Sequence, residues 1–164
     1  MPSWTDLNLT TSSLVRRLHA WWMTARGDRA LPDRKDFDPT RFVDLMPSML
    51  ISEAVGDPFR IRYRIVGTRV AGIAGFDFTG RYLDELLNDN PGEPWLDFYA
   101  MAMETKLPVL GGVTEPTIAG GTFHYEFAIC PVTAGGDAVR QFICVEDYFG
   151  FNLTSAGLKR WLDR

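Results

Sequence analysis

The stretch FRIRYRIVGTRVAGIAGFDFTGRYLDELL, residues 59–87, decides the fold of this chain. It begins with strict alternation, which predicts a strand with one apolar and one basic side: Phe59, Ile61, Tyr63 and Ile65 against Arg60, Arg62 and Arg64. Gly67 and Thr68 end this strand and supply a helix cap, and the short apolar helix that follows ends at Gly75. A turn at 78–81 then begins another short helix containing Leu83, Leu86 and Leu87. A strand followed by very short helices predicts a small cavity walled against a sheet.

Composition restricts the class of protein. The chain has 164 residues, enough for one domain with a full core, and 46% of them are hydrophobic. Aromatic residues make up 13%, which calls for a large packed interior or a lined pocket. The net charge of −4 argues against nucleic-acid binding. The arginine stripe at residues 60, 62 and 64 is interpreted as a solvated face, with a phosphate or acidic-partner site as the alternative.

Targeting signals and disulfides are not expected. Met1 is followed by polar residues, and no apolar run approaches the length of a membrane span, so we expect a cytoplasmic protein that does not bind membranes. The two cysteines, Cys130 and Cys144, lie in strand-like segments on either side of a glycine-rich turn. Because they are not expected to face each other, we predict buried, reduced thiols.

The N-terminal part contains an amphipathic helix and a polar arm. The helix is predicted over 13–26, with Gly27 as its stop, and its apolar arc includes Leu14, Leu18, Trp21 and Trp22. This arc packs either on the domain's own sheet, the default, or on a second subunit. Residues 31–39 form an extended polar arm, after which Asp38 and Pro39 begin a short helix that Pro47 ends.

The remaining elements complete an antiparallel sheet. Strands are predicted over 49–55 and 59–66, joined as a hairpin at 56–58. A helix then begins near Asn90–Glu93, carries an aromatic face from Trp95 and ends at Pro108. Three strands follow, over 109–114, 122–132 and 139–149, and Thr154 begins a tail helix with Leu158, Trp161 and Leu162. The last strand is apolar on both faces, which predicts that the N-terminal helix covers the second face of the sheet.

This order predicts an α+β fold: a five-stranded antiparallel sheet with short helices on one face, an N-terminal amphipathic helix and a C-terminal tail helix. We divide the chain into the N-terminal helix and arm (1–48), the core (49–150) and the tail helix (151–164), together one globular domain.

The same order resembles the PAS sensor domain. The likeness is strongest to mostly stand-alone bacterial PAS proteins with an "LPxRxDFDP…RYRxVGT…TGR" pattern. Three stretches of this chain match that pattern: LPDRKDFDP at 31–39, RYRIVGT at 62–68 and TGRYLD at 79–84. The resemblance extends from about Leu14 to Phe149 and implies a small-molecule or redox-sensing module. It also implies a homodimer that signals through contact with another protein, whose identity the resemblance does not give.

The resemblance leaves the cofactor unknown. Haem-binding PAS domains commonly use a His from the helices over the pocket, but His19 lies on the N-terminal helix and His124 on a strand, which argues against His-ligated haem. Ligation by Tyr99, Met101 or Met103 stays open. Cys130 and Cys144 lie on late strands, which argues against photoreactive flavin, whereas non-covalent flavin stays open. No ligand spacing for a metal and no catalytic motif is found, so an enzyme is not expected.

The predicted pocket depends on aromatic and apolar residues of three elements. Two strands and the long helix supply the candidates: Tyr63, Ile65, Trp95, Phe98, Tyr99, Met103, Phe123, Tyr125, Phe127 and Ile129. Such a lining suits a planar or fatty ligand, oriented by the hydroxyls of Tyr63 or Tyr125. The first hypothesis is therefore a PAS-type sensor of a small apolar or aromatic ligand. The alternative is a ligand-free dimerisation module in which the candidates are core and Leu14, Leu18, Trp21 and Trp22 form the interface.

Overall fold

Six strands build one antiparallel sheet in the computed structural model, which describes residues 3–4, 6–87, 94–116 and 120–148. The strands are β1 (Ser3–Trp4), β2 (Met49–Val55), β3 (Arg60–Val66), β4 (Val109–Pro116), β5 (Thr122–Val132) and β6 (Gln141–Asp147). They lie in the order β1-β4-β5-β6-β2-β3. The five predicted strands and the α+β class are confirmed, and the two-residue strand β1 adds an unpredicted edge beside β4.

Within the described residues, four α-helices and four short 3₁₀ helices accompany the sheet. The α-helices are α1 (Ser13–Arg26), α2 (Thr68–Ala74), α3 (Leu83–Leu86) and α4 (Trp95–Thr105). The 3₁₀ helices are Leu7–Leu9, Arg34–Asp36, Pro39–Phe42 and Met46–Ser48. The predicted helix start at Asn90–Glu93 and the predicted tail helix lie outside the described residues.

Local sequence signals set most helix ends. The Ser12 hydroxyl accepts the Val15 N–H at 3.1 Å and caps α1, and Gly27 ends that helix with a positive φ of 56°. Asp38 caps the 3₁₀ helix that Pro39 begins, as predicted. The prediction that Pro47 ends a single helix is wrong. Because proline lacks an N–H and fits a helical first turn, Pro47 lies instead inside a second 3₁₀ helix.

A β-bulge interrupts the alternation that the sequence shows in β3. Ile51 of β2 pairs with Ile65, but the next residue, Ser52, pairs with Tyr63, so Arg64 is the extra residue. Because neighbouring residues of β2 point to opposite faces, Tyr63 and Ile65 also lie on opposite faces. The prediction that Ile65 shares a side with Tyr63 is therefore wrong, and Ile65 is 43% exposed.

Helices cover both faces of the sheet. Helix α4 packs on β4 and β5, and α1 packs on β5 and β6 from the opposite face, which confirms the predicted cover by the N-terminal helix. Leu18 and Trp22 are completely buried there, and the Trp22 indole N–H donates to the Pro131 carbonyl at 2.7 Å. Both side chains therefore pack within their own chain, and their role in an interface between subunits stays a prediction. Leu14 and Trp21 are half-buried, and Trp21 meets Phe37 edge-on at 5.1 Å.

The arginines of β3 are paired on the surface. Glu53 bridges Arg62 at 2.6 Å and Arg64 at 3.1 Å, and Arg60 contacts Asp84 at 2.8 Å. These pairs occupy the basic stripe with carboxylates of the same chain. Across the described residues, the helices are all too short or too polar to cross a bilayer.

Candidate functional site

The face of the sheet that α4 covers carries a cluster of aromatic rings. The ring of Phe127 on β5 lies 4.8 Å from Trp95 and 5.4 Å from Phe98, measured between centroids. Trp95 meets Phe98 edge-on at 5.9 Å. Gly111 lies opposite Phe127 on β4, and its lack of a side chain leaves room for the ring. These rings build an apolar wall between helix and sheet.

A buried polar cluster adjoins that wall. The Tyr99 hydroxyl lies 3.3 Å from the Ser52 hydroxyl and 3.7 Å from the Cys144 sulfur, and all three residues are buried. Burial, followed by the neighbouring Cys144 and Tyr63, raises the pKa of Tyr99 well above its usual value. Burial likewise raises the pKa of Cys144 to about 12. All three groups are therefore neutral at physiological pH and act as hydrogen-bond donors or acceptors.

Tyr63 and Tyr125 contact different aromatic rings. The Tyr125 ring lies 5.9 Å from Phe123 and 4.7 Å from Tyr148, toward the other end of β5. Tyr63 meets Phe78 edge-on at 4.8 Å, on the strand at the edge of the sheet. The two tyrosines predicted to orient a ligand thus lie against different rings.

The ten pocket candidates therefore divide into buried residues, half-buried residues and one residue on the opposite face of the sheet. On the face that α4 covers, the candidates that are at most 7% exposed are Tyr63, Trp95, Phe98, Tyr99, Tyr125, Phe127 and Ile129. Met103 and Phe123 are half-buried and pack on the same core. Ile65 belongs to the opposite face because of the bulge.

Sequence reasoning missed Ser52, Phe142 and Cys144 as parts of this interior. Phe142 meets the Tyr99 ring edge-on at 4.9 Å, and Ser52 pairs with Phe142 across β2 and β6. Ser52 offered a signal, since it is a small polar residue within the apolar run of β2. Cys144 was considered only for disulfide and flavin chemistry, where its position on a late strand excluded it.

The residues considered for metal or haem chemistry do not gather in one place. His19 is half-buried on α1, where burial lowers its pKa, and His124 is exposed on β5 beside Thr114. Met101 is 38% exposed on α4, and the hydroxyl of Tyr99 faces Ser52 and Cys144. Within the described ranges, three or more His, Cys, Asp or Glu side chains do not group closely enough to hold a metal ion.

An antiparallel sheet of this order with helices packed on it is an α+β architecture. The family model for the PAS domain matches residues 10–145, most of the chain. The protein therefore belongs to the PAS domain family, as its sequence resemblance implied.

Solved structures with a similar fold include three light-oxygen-voltage proteins. An RNA-binding light-oxygen-voltage receptor is 15% identical with a TM-score of 0.49, and the alignment covers 67% of this chain and 32% of the receptor. This chain thus spans about a third of that receptor. The light-state LOV domain of the photoreceptor Aureochrome1 is 14% identical with a TM-score of 0.46, and the alignment covers 66% of this chain and 86% of that domain. The Rhodobacter sphaeroides LOV protein is 10% identical with a TM-score of 0.47, and the alignment covers 70% of this chain and 69% of that protein. No curated protein matches the chain.

Proposed function

We propose that this PAS domain is a sensor that binds a small apolar or aromatic ligand between α4 and the sheet. The ligand would lie along the wall of Trp95, Phe98 and Phe127, with its polar group at the cluster of Ser52, Tyr99 and Cys144. Binding would change the position of α4, and a protein partner would detect that change.

The buried polar cluster is the observation that carries this proposal. Ligand pockets are mostly apolar with a few polar groups that fix orientation. Ser52 and Tyr99 place two neutral hydroxyls inside an aromatic interior, and their mutual distance of 3.3 Å is long for a hydrogen bond between hydroxyls. A ligand carbonyl or hydroxyl would offer both hydroxyls a shorter hydrogen bond than the one they form with each other.

Ligand exchange requires movement of α4. Trp95, Phe98 and Tyr99 are each at most 7% exposed, so the interior is closed to solvent on the helix side. Opening α4 would expose apolar surface, whereas an apolar ligand would restore its burial. Occupancy would therefore control the mobility of the helix, which is how a cofactor-free sensor can transmit a signal.

Native mass spectrometry and an absorbance spectrum of the freshly purified protein test the proposal. We expect a co-purifying small molecule, retained in Tyr82→Phe and lost or strongly reduced in Tyr99→Phe. Tyr82 is a matched control because it is half-buried and its ring lies 3.8 Å beneath Arg60, outside the interior. A bare protein mass, together with no thermal stabilisation by fatty acids or planar aromatic compounds, contradicts the proposal.

A ligand-free interaction module is the second candidate. The direct ring contacts of Phe127 with Trp95 and Phe98 favour this candidate, because these rings already pack against one another as a core without a ligand. A homodimer would then use the exposed side of α1, where Met23 is 43% exposed. Light scattering would show a dimer that Met23→Glu dissociates. Val43→Glu, at a 67% exposed position outside α1, is the control and leaves the dimer intact.

A further inference from the structure

A concavity lies away from the aromatic interior, at the end of the sheet where the polar arm crosses the β5–β6 turn. Its volume is about 420 Å³, and we call it the arm cleft. Its walls come from the loop after α1, the arm, the C-terminal end of α4 and the turn at 133–137. None of the aromatic pocket candidates lines it.

Asp33 holds the two main walls of the arm cleft together. Its carboxylate accepts the Lys35 N–H at 3.0 Å within the arm, and the Thr133 hydroxyl and the Gly135 N–H, both at 2.8 Å, from the turn. The backbone adds a bond from the Arg34 N–H to the Thr133 carbonyl at 2.8 Å. The cleft is therefore preformed, and the charge of Asp33 is engaged in its walls.

Charged side chains of both signs line the arm cleft. Arg29, Lys35 and Lys106 line it, against the carboxylates of Asp33 and Asp137. Arg29 bonds to Asp36 at 2.8 Å, but neither lysine forms an ion pair with any described residue. The ammonium groups of Lys35 and Lys106 are therefore the positive charges that an anion in the cleft could contact.

The turn adds backbone donors to these charges. Gly135 and Gly136 both have positive φ, 77° and 80°, and a Cβ at either position would meet nothing within 4 Å. The backbone of the turn is therefore open to close approach. The Gly136 N–H has no acceptor among the described residues, so it is free to bind an oxyanion.

We propose that the arm cleft binds a small organic anion through its carboxylate or phosphate group. Lys35 and Lys106 would neutralise the charge, and the Gly136 N–H would donate a hydrogen bond. The volume falls in the range of roughly 300–1,000 Å³ that is usual for small-molecule sites. Ala30 and Leu31 supply an apolar patch for the carbon skeleton. The cleft would give this sensor a second input, independent of the aromatic interior.

Amide NMR titration of the full chain tests this proposal, with sodium phosphate and sodium citrate as probes and sodium chloride at equal ionic strength as the reference. We expect saturable shifts of the Gly135, Gly136 and Lys106 amides. Saturation by phosphate alone assigns a phosphorylated ligand, and saturation by citrate alone assigns a carboxylate. Shifts that stay linear and match those in chloride overturn the proposal.

Charge variants provide the matched comparison. Lys35→Gln and Lys106→Gln should each weaken the apparent affinity about tenfold, as expected for one lost charge-assisted contact. Arg41→Gln removes one exposed positive charge outside the cleft and should leave the affinity within about twofold. If Lys106→Gln fails to fold because Lys106 has a positive φ of 55°, the affinity of Lys35→Gln alone tests the proposal. Equal losses in the cleft variants and in Arg41→Gln overturn the proposal, since the attraction would then be non-specific.

Discussion

The carboxylate of Glu126, in the middle of β5, accepts the backbone N–H of Ser12 at 2.8 Å, at the start of α1. The same carboxylate accepts the Thr11 N–H at 3.0 Å and the hydroxyls of Thr10 and Thr11. Glu126 is only 3% exposed. Burial alone would raise its pKa, but these hydrogen bonds together lower it. A buried charge thus ties the N-terminus of α1 to the sheet.

Glu126→Gln should lower the free energy of unfolding by about 2 kcal/mol. The glutamine loses the charge that favours the helix N-terminus, and its amide N–H₂ would face N–H and O–H donors. Urea denaturation measures the loss. Glu104→Gln is the control, because Glu104 is exposed on α4, and it should change stability by less than about 0.5 kcal/mol. Equal effects of the two substitutions would show that the hydrogen bonds at Glu126 do not stabilise α1.

Asp33 makes a pH-dependent contribution to stability. The Lys35 and Gly135 N–H groups lower the pKa of Asp33 to about 2 in the folded chain, against about 3.9 in an unfolded one. A depressed folded pKa stabilises the protein above the unfolded value, and this stabilisation is lost as the pH falls from about 4 to about 2. Wild type should therefore exceed Asp33→Asn in stability at neutral pH, and the difference should shrink over that acidic range. A difference independent of pH would contradict this assignment.

Local signals account for much of the fold. Alternation predicted β3 as far as Tyr63, and Gly27 and Gly75 ended their helices as expected. The bulge that turns Ile65 to the other face left no trace in the alternation, because it depends on how β3 pairs with β2 rather than on β3 alone. Strand periodicity therefore predicted the presence of β3 but not the faces of its last residues.

The sites were harder to predict because their parts are distant in sequence. Glu126 bonds to residues about 115 positions earlier, and its only signal was one carboxylate directly before the apolar run at 127–132. The arm cleft joins Arg29, Lys106 and Gly135, which no motif connects. The aromatic candidates were recognisable by type, but the rings that each one contacts depend on side-chain packing.

Gly111→Ala should disturb the aromatic wall. A Cβ at Gly111 would lie 2.4 Å from the Phe127 ring, which Trp95 and Phe98 hold in place. We expect a loss of about 1–3 kcal/mol and a change in tryptophan fluorescence. In a double-mutant cycle, Phe127→Leu should relieve part of the clash, so the double variant should lose less than the sum of the single losses. Strict additivity would show that the two positions do not interact.

Gly67→Ala should be costly for a different reason. Its φ of −63° suits alanine, but a Cβ would lie 2.3 Å from the Pro47 carbonyl oxygen and 2.5 Å from that of Met46. Backbone atoms cannot move aside as a flexible side chain can, so we expect a loss of about 2 kcal/mol or more in thermal or urea unfolding. Thr68→Ala, at the exposed neighbouring position, should change stability by less than about 0.5 kcal/mol. A similar small loss at Gly67 would mean that α2 shifts freely away from the 3₁₀ helix.

Thiol reactivity should report separately how α4 and α1 open away from the sheet. Cys144 lies on the face of α4 beside Tyr99, and Cys130 lies on the face of α1. Burial raises the pKa of both thiols, that of Cys144 to about 12, so an aromatic disulfide reagent at mildly alkaline pH should label neither quickly in the native protein. Both should react in concentrated guanidinium chloride. In Cys130→Ser the slow native labelling then measures the opening over Cys144, and a ligand bound under α4 should slow it further. Rapid labelling of Cys144 in the native state would contradict a closed interior.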